Sequence, residues 1–428
     1  MADMVQKFGG FLNSRMETDP ASARRLLTAA FRAKRLQLKF FPDKRLSPAR
    51  RELALYSMDA VLNPLLHPER EALVSIFTPC ELLQTFGYAP MMAEAVSCYI
   101  NGARAERGFI DYAQENGLPE TFCSYHKTLL GGMLSGVLPR PKVIVNTSLA
   151  CDANNLTFRM AAREFQVPQF YIDVPYEVSE DSVQYVTDEL KELAGFLEED
   201  AGKKLDMDLL KQHVACAGRT MKKFASCQQA KRDVWLSNDM TDELYEIFAN
   251  KVLLGMPQIE QFADHLLRDL KKAEKTRGIR LLWMHTIPYN LTPLRTLMNF
   301  SDRVQIVACD MNYDEFCRTD PEKPFESMAR RLVYDSFNGP AERRIKRSIA
   351  MAKKLKADGV VYFCHWGCKQ TMASSDLAAQ MLEEAGFPAL VLDGDGVDTT
   401  SSSNGQLMTR IEAFVEMLEQ SDKENGGT

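Results

Sequence analysis

No apolar run in the sequence is long enough to cross a bilayer, which excludes a protein built on membrane-spanning helices. The start, MADMVQKFGGFLNS, lacks the basic-then-apolar order of a secretory signal. There is no CxxC pair and no zinc-finger spacing, so a zinc-finger site is not expected. Without an export signal, the ten cysteines do not read as a disulfide framework. Metal ligation, redox work or plain burial remain for them, in a cytoplasmic setting. No GxGxxG follows a first strand and there is no Walker A sequence, so nicotinamide and ATP binding have no motif behind them. Positive charge is in deficit, 52 Lys and Arg against 58 Asp and Glu, which disfavours nucleic acid as a partner.

The exception is residues 24–51, where ten Lys or Arg accompany a single acid, Asp43. A solvated helix face, a docking surface for an acidic partner or ligand phosphates, and a transit peptide are three readings of this segment. Asp3, Glu17 and Asp19 count against the last.

What is present is an alternation of strand-like and helix-like stretches. With 428 residues, 45% of them hydrophobic, the chain is too long for one ordinary core. Asp19-Pro20 is a helix start, an N-cap acid followed by proline, and residues 1–70 read as helical and accessory. Residues 72–77, 141–147, 167–175, 278–285, 304–309, 360–363 and 389–392 read as strands. Helices are expected over 82–86, 156–165, 377–385 and 406–419, with Gly131, Gly132 and Gly136 permitting close packing in the helix that Cys123 opens. Residues 178–275 are helical and charged. The fold class that follows is α/β, two Rossmann-like parallel-sheet lobes of residues 71–275 and 276–420 with a helical N-terminal segment, and 421–428 as a polar tail.

Several strands lead into a loop that carries a thiol and then a helix. Cys80, Cys123 and Cys151 lie near helix starts in the first lobe, and Cys364 and Cys368 in the second. If the lobes face each other, three thiols, Cys151 with Cys123 or Cys80 and with Cys364 or Cys368, would meet in the inter-lobe cleft. Thiolates suit soft metals and iron–sulfur clusters, and a cubane on three of them leaves one iron open to substrate. Unliganded buried cysteines are the competing reading. Cys98, Cys216 and Cys227 read as core residues. His285 and His365 are candidate acids or bases, though singly each is more often structural. The run Asp393-Gly394-Asp395-Gly396 reads as a turn after a strand rather than a calcium loop.

These blocks are together similar to a known family. Pro79-Cys80-Glu81-Leu82-Leu83 with Gly87 and Pro90, Cys123-Ser124, Cys151-Asp152, and Val167-Pro168 with Asp173 and Pro175 carry the first part. Residues 357–361 (ADGVV), His365-Trp366-Gly367-Cys368-Lys369-Gln370, Leu392-Asp393-Gly394-Asp395, Asp398, Gly405-Gln406 and Thr409-Arg410 carry the more specific second part. The chain resembles the 2-hydroxyacyl-CoA dehydratase family, D component, which includes benzoyl-CoA-reductase-type subunits. The resemblance implies a 4Fe–4S cluster on Cys123, Cys151 and Cys368. Cys368 is preferred to Cys364 for the spacing that follows it. It also implies a related second subunit or a homodimer, an ATP-dependent iron–sulfur activator protein, and an acyl-CoA substrate. Water would leave an (R)-2-hydroxyacyl-CoA through a ketyl radical after one-electron activation. A related branch carries a double-cubane 8Fe–9S cluster and reduces small molecules; Cys80, Cys364 and Cys309 or Cys317 would be its additional ligands. A cluster-free scaffold subunit is the non-enzymatic alternative.

Overall fold

The computed structural model describes residues 2–312, 319–400 and 404–425. Among them are two four-stranded sheets, both entirely parallel. The first holds β1 (Glu71–Val74), β2 (Ala89–Met92), β3 (Val143–Thr147) and β4 (Gln169–Ile172) in the order β2-β1-β3-β4. A two-stranded antiparallel ribbon follows, β5 (Val234–Trp235) with β6 (Glu274–Lys275). The second sheet holds β7 (Ile279–Met284), β8 (Val304–Cys309), β9 (Gly359–His365) and β10 (Ala389–Gly394) in the order β10-β9-β7-β8.

The strands form where β-branched and aliphatic residues run unbroken, because parallel strands are covered on both faces. Every residue of β3, β7, β8 and β9 is buried. Alternation then assigns the faces. In the second sheet Leu281, Trp283, Val361 and Phe363 join a hydrophobic cluster that also contains Leu73, Val74 and Ile144 of the first sheet. Their neighbours Leu282, Met284, Val360, Tyr362 and Cys364 pack on the opposite face, with Ala378 and Leu382. One core thus joins the two sheets.

In both sheets the chain builds outward in one direction and then in the other. The reversal falls between β1 and β3 in the first sheet and between β7 and β9 in the second. At such a point the loops leaving the carboxyl ends of adjacent strands diverge and leave a crevice.

Helix starts follow local chemistry. Asp19 accepts a hydrogen bond from Ser22 N at 3.0 Å, with Pro20 in the first turn of the helix Pro20–Phe40. Ser47 and Pro48 repeat the device for the helix Pro48–Leu66. Residues 2–66 form three helices, helical as expected but not accessory: Met4, Val5 and Phe8 of the helix Ala2–Met16, and Phe31 and Lys34 of the next, line the cavity described below. Several bounds differ from expectation. The helix after Cys368 begins at once, Lys369–Glu384, and the last one runs Asn404–Asn425, into the expected tail. The strand β2 is not legible in the sequence because it is short, carries Pro90 and lies at the sheet edge, where a missing N–H is tolerated. The expected close packing at glycine is present, since a Cβ on Gly131 would lie 1.9 Å from Phe109 O. No helix of the described residues is long and apolar enough to cross a membrane.

Glu81, the first residue of the helix Glu81–Phe86 that follows β1, illustrates how the two sheets are tied. Its carboxylate is fully buried and accepts both Arg331 guanidinium nitrogens, at 2.6 and 2.7 Å, from the helix Pro324–Val333. Removing one partner of such a pair strands the other charge. Arg331→Met is therefore expected to cost about 3–5 kcal/mol, read as a lower urea midpoint. A midpoint within error of wild type would show that the pair contributes no net stability.

Candidate functional site

The switch-point loops of both sheets open onto one cavity of about 1400 Å³. Ile76 and Phe77 follow β1, residues 148–151 follow β3, His285 and Thr286 follow β7, and Gly367 and Cys368 follow β9. Cys123, Cys151 and Cys368 all line it.

Each of these three cysteines is the N-cap residue of a helix: Ser124–Leu134, Asp152–Phe165 and Lys369–Glu384. Helix N-termini present free N–H groups and a partial positive charge, so they favour an anionic sulfur. At Cys151 the contact is made, with Sγ accepting from Asn154 N at 3.4 Å. Burial acts the other way and prevails. It pushes the Cys123 thiol well above its ordinary pKa, and the nearby Cys151, Cys368 and Asp395 add to the rise. Cys151 is raised by burial first and by Cys368 next. Three thiols this close repel one another as thiolates unless positive charge sits among them.

Their convergence is built by close backbone approach. Gly367, at φ +79°, lies so near Cys123 that a Cβ would stand 2.8 Å from its N and Cα. Only glycine fits both that conformation and that space. The loop after β10 clasps the same helix start: Asp395 Oδ1 accepts from Ser124 Oγ at 2.6 Å and from Val397 N and Asp398 N. Asp393 and Gly394 thus close β10, and Asp395 and Gly396 form the bend after it, held by the Asp395 carboxylate. Two non-glycine residues on the wall sit in the left-handed region, Ala150 at φ 64° beside Cys151 and His285 at φ 79°. The second is held by Asp310, which accepts from His285 N at 2.8 Å and is itself bound by the buried Arg344 at 2.7 Å. Strain of this kind persists only where its surroundings fix it.

The histidines are arranged around the thiols. His365 Nδ1 accepts from Gly396 N at 3.1 Å, and burial lowers the ring's pKa, which keeps it neutral. Its proton is thereby assigned to Nε2, which faces Cys123 Sγ at 3.4 Å. His365, expected as a candidate acid or base, is therefore committed to two partners. His126 Nε2 lies 3.9 Å from Cys151 Sγ, with the ring's pKa pushed down to about 3 by burial.

The other thiols go elsewhere. Cys364 belongs to the opposite face of β9, with burial and then Asp393 pushing it up to about 12. Cys80 is fully buried and donates to Thr78 O at 3.3 Å. Cys309 donates to His285 O at 3.1 Å. None of the three lines the cavity. Cys317 lies outside the described residues. Cys216 and Cys227 are buried in a helix as expected. Cys98, expected in the core, instead lines the cavity and packs beside Cys123 and Cys151.

Glu94 and His126 carry no signal in the sequence that singles them out. Glu94 opens the helix Ala93–Gly102 and lines the cavity. Its Oε2 is buried without a hydrogen-bond partner among the described residues. Burial pushes its carboxyl up to about 7, and the neighbouring polar groups of its own backbone, Asn154 and Ile76 oppose the rise without preventing it.

The site is thus a large, partly apolar cavity with three clustered thiols at helix starts, two imidazoles against them and a carboxyl able to change protonation near neutrality. Among the described residues, no three His, Cys, Asp or Glu side chains close around a single-ion point. A cubane does not require one, since its thiolates bind separate irons.

Comparison with known proteins agrees with the resemblance. The family described as 2-hydroxyglutaryl-CoA dehydratase, D-component, matches residues 75–418. Lactoyl-CoA dehydratase subunit alpha of Anaerotignum propionicum is 24% identical over 439 residues, covering 92% of this chain and 98% of that protein. The (R)-2-hydroxyisocaproyl-CoA dehydratase alpha subunit of Clostridioides difficile is 22% identical over 380 residues, 82% of this chain and 91% of its own. One of the subunits of the benzoyl-CoA reductase of Thauera aromatica is 21% identical over 398 residues, 82% and 89% of the two chains. The chain therefore belongs to the 2-hydroxyglutaryl-CoA dehydratase D-component family.

Proposed function

We propose that the chain is the iron–sulfur subunit of a 2-hydroxyacyl-CoA dehydratase, with a 4Fe–4S cluster on Cys123, Cys151 and Cys368. The observation that carries this reading is the gathering of those three thiols, each a helix N-cap, in one cavity. The donor set fits the group. The sulfurs are soft ligands, their mutual repulsion calls for metal, and the helix ends favour thiolate. Cys80, Cys309 and Cys364 lie off the cavity, which favours one cubane over two. When bound there, such a cluster supplies an electron and an open iron as a Lewis acid.

The chain's own residues supply the rest. His365 Nε2–H donates toward the Cys123 sulfur and keeps it oriented. The apolar walls exclude water. Glu94, near pKa 7, gives its proton to the leaving 2-hydroxyl, and the carboxylate so formed takes the proton from carbon 3. Water is released and Glu94 is restored. A partner chain is proposed because the relatives are all named as subunits, two of them as alpha subunits. An ATP-dependent iron–sulfur activator would deliver the electron, with the exposed Leu156, Tyr176 and Met372 at the cavity rim as its approach.

Anaerobic purification with iron and sulfide analysis tests the reading. About four irons per chain is expected. About eight would indicate the double-cubane reductase, and none would leave a cluster-free scaffold.

A further inference from the structure

We propose that Lys34 and Arg295 form a phosphate-binding subsite at one end of the cavity, which holds the phosphates of the coenzyme A carrier. This rests on the acyl-CoA reading above and adds where the carrier's charged end lies.

The path from the thiols to these cations can be followed through contacts. Cys98 packs with Cys123 and Cys151. The next residue, Tyr99, has its ring 5.8 Å from Phe31 and 6.5 Å from Phe248. Lys34 lies one helical turn beyond Phe31, and both line the cavity. The wall therefore passes from thiols, through aromatic rings, to positive charge. That is the order of chemistry along an acyl-CoA: thioester, long arm, phosphates.

Among the described residues, neither cation forms an ion pair with an acid. Lys34 Nζ donates to the neutral Gln37 Oε1 at 2.9 Å. The Arg295 guanidinium has no hydrogen-bond or ion-pair partner among the described residues, and both side chains are accessible. The acid nearest in charge, Asp239, is engaged elsewhere. Its Oδ1 accepts from Thr241 N and Oγ1 at 2.8 and 2.7 Å, and its Oδ2 accepts from Asn299 Nδ2 at 2.6 Å. Lys369, by contrast, stands 3.5 Å from Asp152. Surrounding protein lowers the pKa of Lys34; Asp239 opposes this and Arg295 adds to it. Two mutually repelling cations on a cavity wall suit a ligand with more than one phosphate, and an arginine fork can grip one bidentately. This also gives the basic segment 24–51 a role in one of its members.

Coenzyme A itself is the probe, titrated calorimetrically into the full chain. Lys34→Gln and Arg295→Gln are each expected to weaken it about tenfold, and Lys34→Arg to bind nearly as wild type. Added salt should weaken wild-type binding more than that of the double variant. Pantetheine, which has the arm without the phosphates, should bind wild type and double variant alike. A double variant that binds coenzyme A as tightly as wild type, or loses coenzyme A and pantetheine equally, overturns the subsite alone. A wild-type chain that binds no coenzyme A overturns both the subsite and the acyl-CoA reading.

Discussion

Cys151→Ser is expected to lose its iron and its dehydration together, with iron falling from about four per chain toward zero. Cys151 is the most informative of the three thiols because it is half-buried on the cavity wall and already accepts the Asn154 N–H. Serine preserves the size, the N-cap and that hydrogen bond, so the helix Asp152–Phe165 should persist. What changes is the donor. A hydroxyl stays protonated at neutral pH and is a hard, weak ligand for iron, whereas a thiol gives up its proton to the metal. Cys364→Ala is the matched control: it removes a thiol from the far face of β9, and iron content should hold. Iron and sulfide assays on anaerobically purified variants separate the two. A Cys151→Ser chain that keeps about four irons would refute the ligand assignment.

The cysteine pair at β9 shows how far sequence reasoning reaches. Strand alternation puts Cys364 with Val360 and Tyr362, and His365 with Val361 and Phe363. That parity is visible in the letters. Which parity faces the cavity is not, because it depends on the first sheet joining the core through Trp283 and Phe363. Cys80 shows the same boundary. Like Cys151 and Cys368 it follows a strand and precedes a helix, yet its Sγ turns inward to Thr78 O. The strand β8 was legible to the residue and β3 to within two residues at its start, since both are β-branched runs buried on two faces. The helical N-terminus was legible as helix but not as cavity wall, because its apolar stripe could not reveal what it would cover. Glu94 was invisible for a different reason. A lone glutamate in an apolar helix carries no motif; its significance comes from burial and from an oxygen left without a partner.

Glu94→Gln carries the second large effect, an expected fall in kcat of about 10²–10⁴-fold with KM little changed. Glutamine fills the same space and stays polar, so cluster content and coenzyme A affinity should stay at wild type. It cannot exchange a proton. A structural role predicts a different split, with iron content or KM moving along with kcat. Stability provides an independent check on the same carboxyl. Its pKa in the folded chain is about 7, above its ordinary 4.5, so between these values the folded state holds the proton more tightly than the unfolded one. Wild-type stability therefore falls as pH rises through that window, and it falls no further from this group above about 7. The glutamine variant lacks this decline. Its denaturation midpoint should gain on wild type as pH rises from below 4.5 to above 7. A variant that loses turnover while gaining stability at high pH would show a carboxyl kept in place for its proton. A variant with unchanged kcat would remove Glu94 from the chemistry.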